Sequence, residues 1–204
     1  MDAAKGPQKE ELMKKSVGPN TVLQPHPVLI VGTYGADGKA NIMAASWGGI
    51  CCSKPPCVAV SLREATLTHS NIRTRKAFTV SIPPEKYVKE ADFAGVVSGR
   101  DVDKFAKAGL TAVKAGSVDA PYVGEFPFAL ECRLIHEHVL GLHTLFVGEI
   151  MDVVADEEVL GEHGLPDIEK VRPLIWGGGG SSNYYGLGAR LARAFSAGRD
   201  IGEK

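Results

Sequence analysis

Neither sign of charge is in excess in this chain: 23 Lys and Arg stand against 24 Asp and Glu, for a formal net charge of -1. So balanced a chain offers no electrostatic reason to meet nucleic acid or an anionic membrane surface, and neither is expected as a partner. No run of about 18 apolar residues is present, so no bilayer-spanning helix is expected. The opening MDAAKGPQKEELMKKS is charged and has no apolar centre, which argues against a secretory signal and for a cytoplasmic location. Only four cysteines occur, Cys51, Cys52, Cys57 and Cys132, and they do not read as a disulfide framework in 204 residues. Cys51, Cys52 and Cys57 also lack the paired C-x2-C spacing of structural zinc, so small buried or half-buried thiols are expected and no metal site is assigned. Two phosphate-binding signatures are missing as well. No G-x-G-x-x-G follows a strand-like run, and the glycine run at 177–180 lacks the Gly-Lys-Ser/Thr of a phosphate loop, which leaves it a flexible connector.

What is present is the composition of a soluble globular domain, 44% hydrophobic and 23% charged. The length suits one domain with appendages: a polar arm over 1–21 with a short helix near 10–15, a body over 22–195, and a polar tail over 196–204. Residues 24–27, Gln-Pro-His-Pro, read as an extended lead-in. Residues 28–34 and 41–47 read as strands joined through Asp37-Gly38, a hairpin turn. A Gly-Gly bend and Pro55-Pro56 precede a strand over 57–63. Thr66, Thr68 and Ser70 all resemble helix N-caps before a short helix at 71–75, and a strand over 77–82 stops at Pro83-Pro84. Two helices, at 85–94 and 101–108, sit between strands like an insertion, the second ended by Gly109.

The longest sheet signal is 126–140 with 142–155, a hairpin joined at Gly141. Alternation along its first arm places Phe128, Leu130, Cys132 and Leu134 on one face and Ala129, Glu131, Arg133 and Ile135 on the other. A helix near 167–171 and helical spacing over 184–195 follow. At least six strands in hairpin order, without strand-helix-strand alternation, predict a mainly β, formally α+β fold: a closed or partly closed antiparallel barrel with helical additions.

Backbone punctuation is densest over 41–71, NIMAASWGGICCSKPPCVAVSLREATLTHSN. Small residues at Ala44, Ala45, Ser46, Gly48 and Gly49 let a ligand approach the main chain, and Trp47 adds a flat apolar surface. A hydroxyl-rich helix start over 66–71, with Arg63 just before it, suits a phosphate. A planar, phosphorylated cofactor fits both halves. The residue types alone leave other readings open: Thr66, Thr68, Ser70 and Asn71 as plain caps, Trp47 as a core aromatic, Lys104 as a solvated helix charge and His143 as a hydrogen-bonded core histidine.

In order along the chain, Asp37-Gly38, Asn41, Ala45-Ser46-Trp47, Pro55-Pro56, Val60-Ser61-Leu62, Thr68-His69-Ser70-Asn71-Ile72, Phe78 and Val80, Ser98-Gly99, Asp103-Lys104-Phe105 and the His143 to Glu149 run HTLFVGE resemble the flavin reductase-like proteins of the FMN-binding split-barrel class, most of all the flavoredoxins. The resemblance spans about 22–188. It implies a six-stranded Greek-key split barrel with peripheral helices, dimerising with one FMN per protomer. It also implies hydride or electron transfer between FMN and NAD(P)H or a redox partner protein.

On this resemblance Asn41 belongs to the cofactor site, Ala45, Ser46, Trp47, Ile50, Cys51 and Cys52 meet the isoalloxazine ring, and the main chain of 45–52 serves its pyrimidine edge. Ser61, Leu62, Arg63, Thr68, Ser70 and Asn71 meet the ribityl-phosphate tail. Lys104, His143 and Trp176 surround the ring, with Lys104 and His143 tuning its potential; no acid-base catalyst is assigned. Two alternatives stay open, a non-catalytic flavin-binding module and a thiol or metal protein built on Cys51, Cys52 and Cys57.

Overall fold

The Asp-Gly hairpin forms where expected. The computed structural model, which describes residues 13–199 and 201, runs from a two-residue strand β1 (His26–Pro27) into β2 (Leu29–Tyr34). There Gly35 N donates to Lys39 O at 2.8 Å and returns the chain as β3 (Ala40–Ala45). The helix expected near 10–15 falls partly outside the described residues, and 13–15 carry no regular structure.

The Gly-Gly bend expected after Trp47 is instead a strand, β4 (Gly48–Ser53), paired antiparallel with β5 (Pro56–Arg63). Pairing with a neighbour supplies the backbone partners that glycines alone do not predict. Helix α1 (Leu67–Arg75) starts earlier than its sequence signal: of the three candidate caps Thr66 takes the role, its side chain accepting from His69 N. The strand β6 (Ala77–Ser81) follows. After a 3-10 turn at Glu85–Tyr87 come α2 (Val88–Val96) and α3 (Lys104–Ala108), the latter capped by Asp103 and ended at left-handed Gly109.

A short pair β7 (Ala112–Lys114) and β8 (Pro121–Val123) leads to the long hairpin β9 (Phe128–Leu140) and β10 (His143–Ala155). The chain closes with α4 (Ile168–Val171), β11 (Ile175–Trp176) and β12 (Tyr184–Tyr185). The helix expected over 184–195 is absent. Its apolar positions Leu191 and Phe195 are both 97% exposed, so nothing rewards helical order there, and Gly186 and Gly188 oppose it.

The main sheet has seven strands in the order β3-β2-β6-β9-β10-β5-β4. Its two edge strands, β3 and β4, are consecutive in the chain and separated only by Ser46 and Trp47. Three Cα steps reach about 11 Å at most, so the sheet must curl until its edges nearly meet. The result is a split barrel with its seam at Ser46-Trp47. Gly48 is required at this seam: a Cβ there would lie 2.5 Å from Ala59 O and 2.8 Å from Leu29 Cδ1.

Two cores follow from the period-2 alternation of β2. Leu29 and Val31 point into the barrel with Val60, Phe78 and Phe146, whereas Val28 and Ile30 point outward to Ala91, Ala94 and Phe105 on α2 and α3. The same two-sidedness buries Ala129, Leu130, Glu131 and Cys132 in succession on β9. The fold is therefore mainly β, formally α+β, with its helices on the periphery.

Candidate functional site

The seam opens into a cleft of about 530 Å³. One part of its lining comes from the barrel: Ala45, Ser46 and Trp47 at the seam, Ser61, Leu62 and Arg63 from the end of β5, and His143 from the start of β10. Register explains the gathering, because His143 pairs with Arg63 and Leu145 with Ser61, while Ser61 N donates to Trp47 O at 2.8 Å. The Trp47 and His143 rings lie 4.6 Å apart at 35°. Trp47 keeps 38% of its surface exposed, so its ring is available to a ligand.

The other part comes from the periphery: Trp176 of β11, Tyr184 of β12, and Asp92, Gly95 and Val96 of α2. Tyr184 Oη donates to Asp92 Oδ1 at 3.0 Å and ties the small sheet to α2. Burial, then that hydrogen bond and the negative charge of Asp92, push the phenol up to about 12, so Tyr184 stays a donor. Behind Trp176 the His26 ring packs at 5.3 Å. At the rim, Thr66 Oγ1 donates to Arg63 O at 2.9 Å. Among the described residues the exposed Arg63 takes part in no ion pair.

The remaining expected residues lie elsewhere. Asn41, Ser70 and Asn71 border a second, larger cleft of about 1070 Å³ on the flank of α1. Their polar groups are engaged inside the protein. Asn41 Nδ2 donates to Thr68 Oγ1 at 2.9 Å, Asn71 Nδ2 to Thr33 Oγ1 at 3.1 Å, and Ser70 Oγ to Leu67 O at 2.8 Å. Thr68 is 1% exposed. The Asn41 and Asn71 bonds lock α1 to β3 and β2, the Ser70 bond stays within α1, and the neighbouring His69 ties α1 to β10 through Nε2 and Thr144 Oγ1 at 2.9 Å. Burial, and then Arg73, hold the His69 pKa below its usual range, so it is neutral there.

Lys104 lines neither cleft. It is buried, and its Nζ donates to Ala94 O at 2.6 Å in the last turn of α2, where a cation satisfies an orphan carbonyl. Ile50, Cys51 and Cys52 are exposed on the edge strand β4, outside both clefts. Of the thiols expected to be buried or half-buried, only Cys57 and Cys132 are. Among the described residues no group of three or more His, Cys, Asp or Glu side chains is arranged to hold a metal ion.

Sequence reading missed Val28, Met43, Asp92, Gly95, Val96 and Tyr184 as cleft residues. Tyr184 has a local signal, an aromatic pair three residues after the glycine run; the α2 residues have none, since their placement depends on packing against β3.

Residues 23–184 match the family model described as "Flavin reductase like domain". The chain belongs to the flavin reductase-like family. It is 56% identical to the flavoredoxin of Desulfovibrio vulgaris (Miyazaki F), with a TM-score of 0.86 over 92% of this chain and 100% of that one. A flavoredoxin from Methanosarcina acetivorans is 29% identical, also with a TM-score of 0.86, over 93% of this chain and 99% of that one. Among curated relatives, a protein of Archaeoglobus fulgidus named "Ferric-chelate reductase (NAD(P)H)" is 35% identical over 53% of this chain and 64% of its own length. Among the described residues no helix of this family member is long and apolar enough to cross a membrane.

Proposed function

We propose that this flavin reductase-like protein holds FMN in the seam cleft and passes hydride or electrons between it and NAD(P)H or a redox partner protein. The observation that carries the reading is the convergence of Ala45, Ser46, Trp47, Ser61, Leu62, Arg63, His143 and Trp176 on one cleft of about 530 Å³. That volume suits a small-molecule site, which typically occupies about 300–1,000 Å³.

The residues fit the group. Trp47 and Trp176 offer apolar faces to a flat ring. The small side chains of Ala45 and Ser46 let the main chain approach a polar ring edge. Arg63, outside any ion pair among the described residues, suits a phosphate at the rim, with the Thr66 hydroxyl beside it. Bound FMN supplies the redox chemistry itself, accepting a hydride and releasing electrons, while the protein orients it and sets the local electrostatics. His143, braced against Trp47 in the cleft, is a polar group placed for that tuning. Lys104 has no part in this proposal, because its ammonium is engaged on Ala94. The 56% identity to a flavoredoxin and the reductase name of a curated relative support the same reading.

A homodimer belongs to it too. The tip of the β9–β10 hairpin exposes Val139 at 78%, Leu140 at 58% and Leu142 at 65%, an apolar surface suited to a second copy.

Titration with FMN tests the core of the proposal: flavin fluorescence should quench and the melting temperature should rise. Neither change at saturating FMN would overturn it. Anaerobic stopped-flow mixing of the FMN-loaded protein with NADH, NADPH or reduced ferredoxin should then identify the donor by rate. Tight binding with no reduction by any donor would leave a flavin-binding module instead.

A further inference from the structure

Three of the four free thiols sit on one ribbon, Cys51 and Cys52 on β4 and Cys57 at the start of β5. Cys52 and Cys57 are direct antiparallel partners in the ladder. Opposed residues in such a ladder have Cα atoms about 4.5 Å or about 5.5 Å apart, depending on whether the pair is hydrogen-bonded. A disulfide needs about 4.4–6.8 Å between Cα atoms, so either kind of pair meets that distance requirement. Opposed side chains also share a face, which brings the two sulfurs to the same side of the ribbon. Cys52 is near enough to raise the Cys57 thiol, a contribution second only to burial.

The other pairings are poorer. Cys51 falls at the register shift between Ile50 and Cys52 and has no partner across the ladder. Cys132 is fully buried on β9, opposite Phe78 and Ile150. Exposure also separates the two members of the favoured pair. Cys52 is open to solvent, whereas Cys57 is 3% exposed.

We propose that Cys52 and Cys57 are a reversible dithiol–disulfide pair, oxidised through exchange with a small-molecule disulfide of the glutathione type. The exposed Cys52 reacts first: its thiolate attacks the S–S bond of the small disulfide, forms a mixed disulfide, and releases one small thiolate, which takes up the proton that Cys52 lost. Cys57 then gives its proton to solvent and attacks the Cys52 sulfur, closing the cross-strand bond and releasing the second small thiolate, which is protonated in turn. Two protein thiols lose two electrons and two protons, and one small disulfide becomes two thiols. Burial makes Cys57 a slow nucleophile in free solution and an effective one only toward the sulfur held opposite it. The bond closes a very short loop, so it changes the chemistry of the sheet edge more than global stability. This inference is independent of the flavin reading, since it uses no cleft residue.

The test is to incubate the full-length reduced protein with oxidised glutathione, then to measure intact mass and map the bonds. The wild type should lose the mass of two hydrogens without retaining glutathione, and Cys51→Ser should do the same, with the bond mapped to Cys52–Cys57. In a Cys51→Ser background, Cys57→Ser should trap a stable glutathione adduct on Cys52, and Cys52→Ser should show no two-hydrogen loss. A Cys51–Cys52 bond, a persistent adduct on wild-type Cys52, or no reaction would each overturn the proposal. Because the bond map is read on the wild type, a Cys57 variant that fails to fold does not shield the idea.

Discussion

Asn41 and Trp47 stand close together in the chain, yet the fold gives them different work. Asn41 is 5% exposed and donates to Thr68, so its loss leaves a buried hydroxyl without its partner. Asn41→Ala should destabilise by about 1–3 kcal/mol in chemical denaturation while FMN affinity at saturating folded protein stays close to wild type. Trp47→Ala should do the reverse, weakening FMN about tenfold in a fluorescence titration with little change in stability, as loss of one aromatic contact implies. Lys104 is a residue-scale case of pH dependence. Burial lowers its pKa from 10.5 to about 8, so in that window the unfolded chain holds a proton that the folded chain has released. Stability contributed by this group therefore rises with pH between those values. The wild type should gain on Lys104→Met in melting temperature from about pH 8 upward, and equal slopes for the two proteins would contradict this.

At the scale of elements, β10 shows how one missing side chain admits a neighbour. A Cβ on Gly148 would lie 2.5 Å from Phe78 Cζ and 3.0 Å from Cys132 Cβ, both in the barrel core. Gly148→Ala should cost about 1–3 kcal/mol by overpacking. Phe78→Leu in the same chain should return part of that loss relative to Phe78→Leu alone, a coupling that a double-mutant cycle measures. The elements legible in the sequence were those with local signals: the Asp-Gly hairpin, the Gly109 stop of α3, and the long β9–β10 hairpin. Strand β4 and the non-helical stretch over 184–195 were misread for one reason. Glycines in β4 become a strand because β5 pairs with them, and the helical spacing near the C-terminus fails because no surface receives it.

For the whole molecule, the exposed apolar tip of the β9–β10 hairpin makes association measurable. Sedimentation should show a dimer, and Leu140→Asp with Leu142→Asp should shift it toward monomer, since buried charge at an apolar contact is costly. A wild-type monomer with full FMN occupancy would contradict the dimer. By itself the sequence determined the mainly β class, most of the hairpin order and the small-residue stretch around Trp47, because turns, alternation and side-chain size are local properties. Only the tertiary structure decided that Ser46-Trp47 closes a seam between opposite sheet edges. The same is true of the cleft wall that Asp92 and Tyr184 complete. Packing also engaged Thr68, Asn71 and Lys104 in internal bonds and paired Cys52 with Cys57. Each of these depends on strands and helices distant in sequence being forced together by barrel curvature, and no local pattern of residues records that constraint.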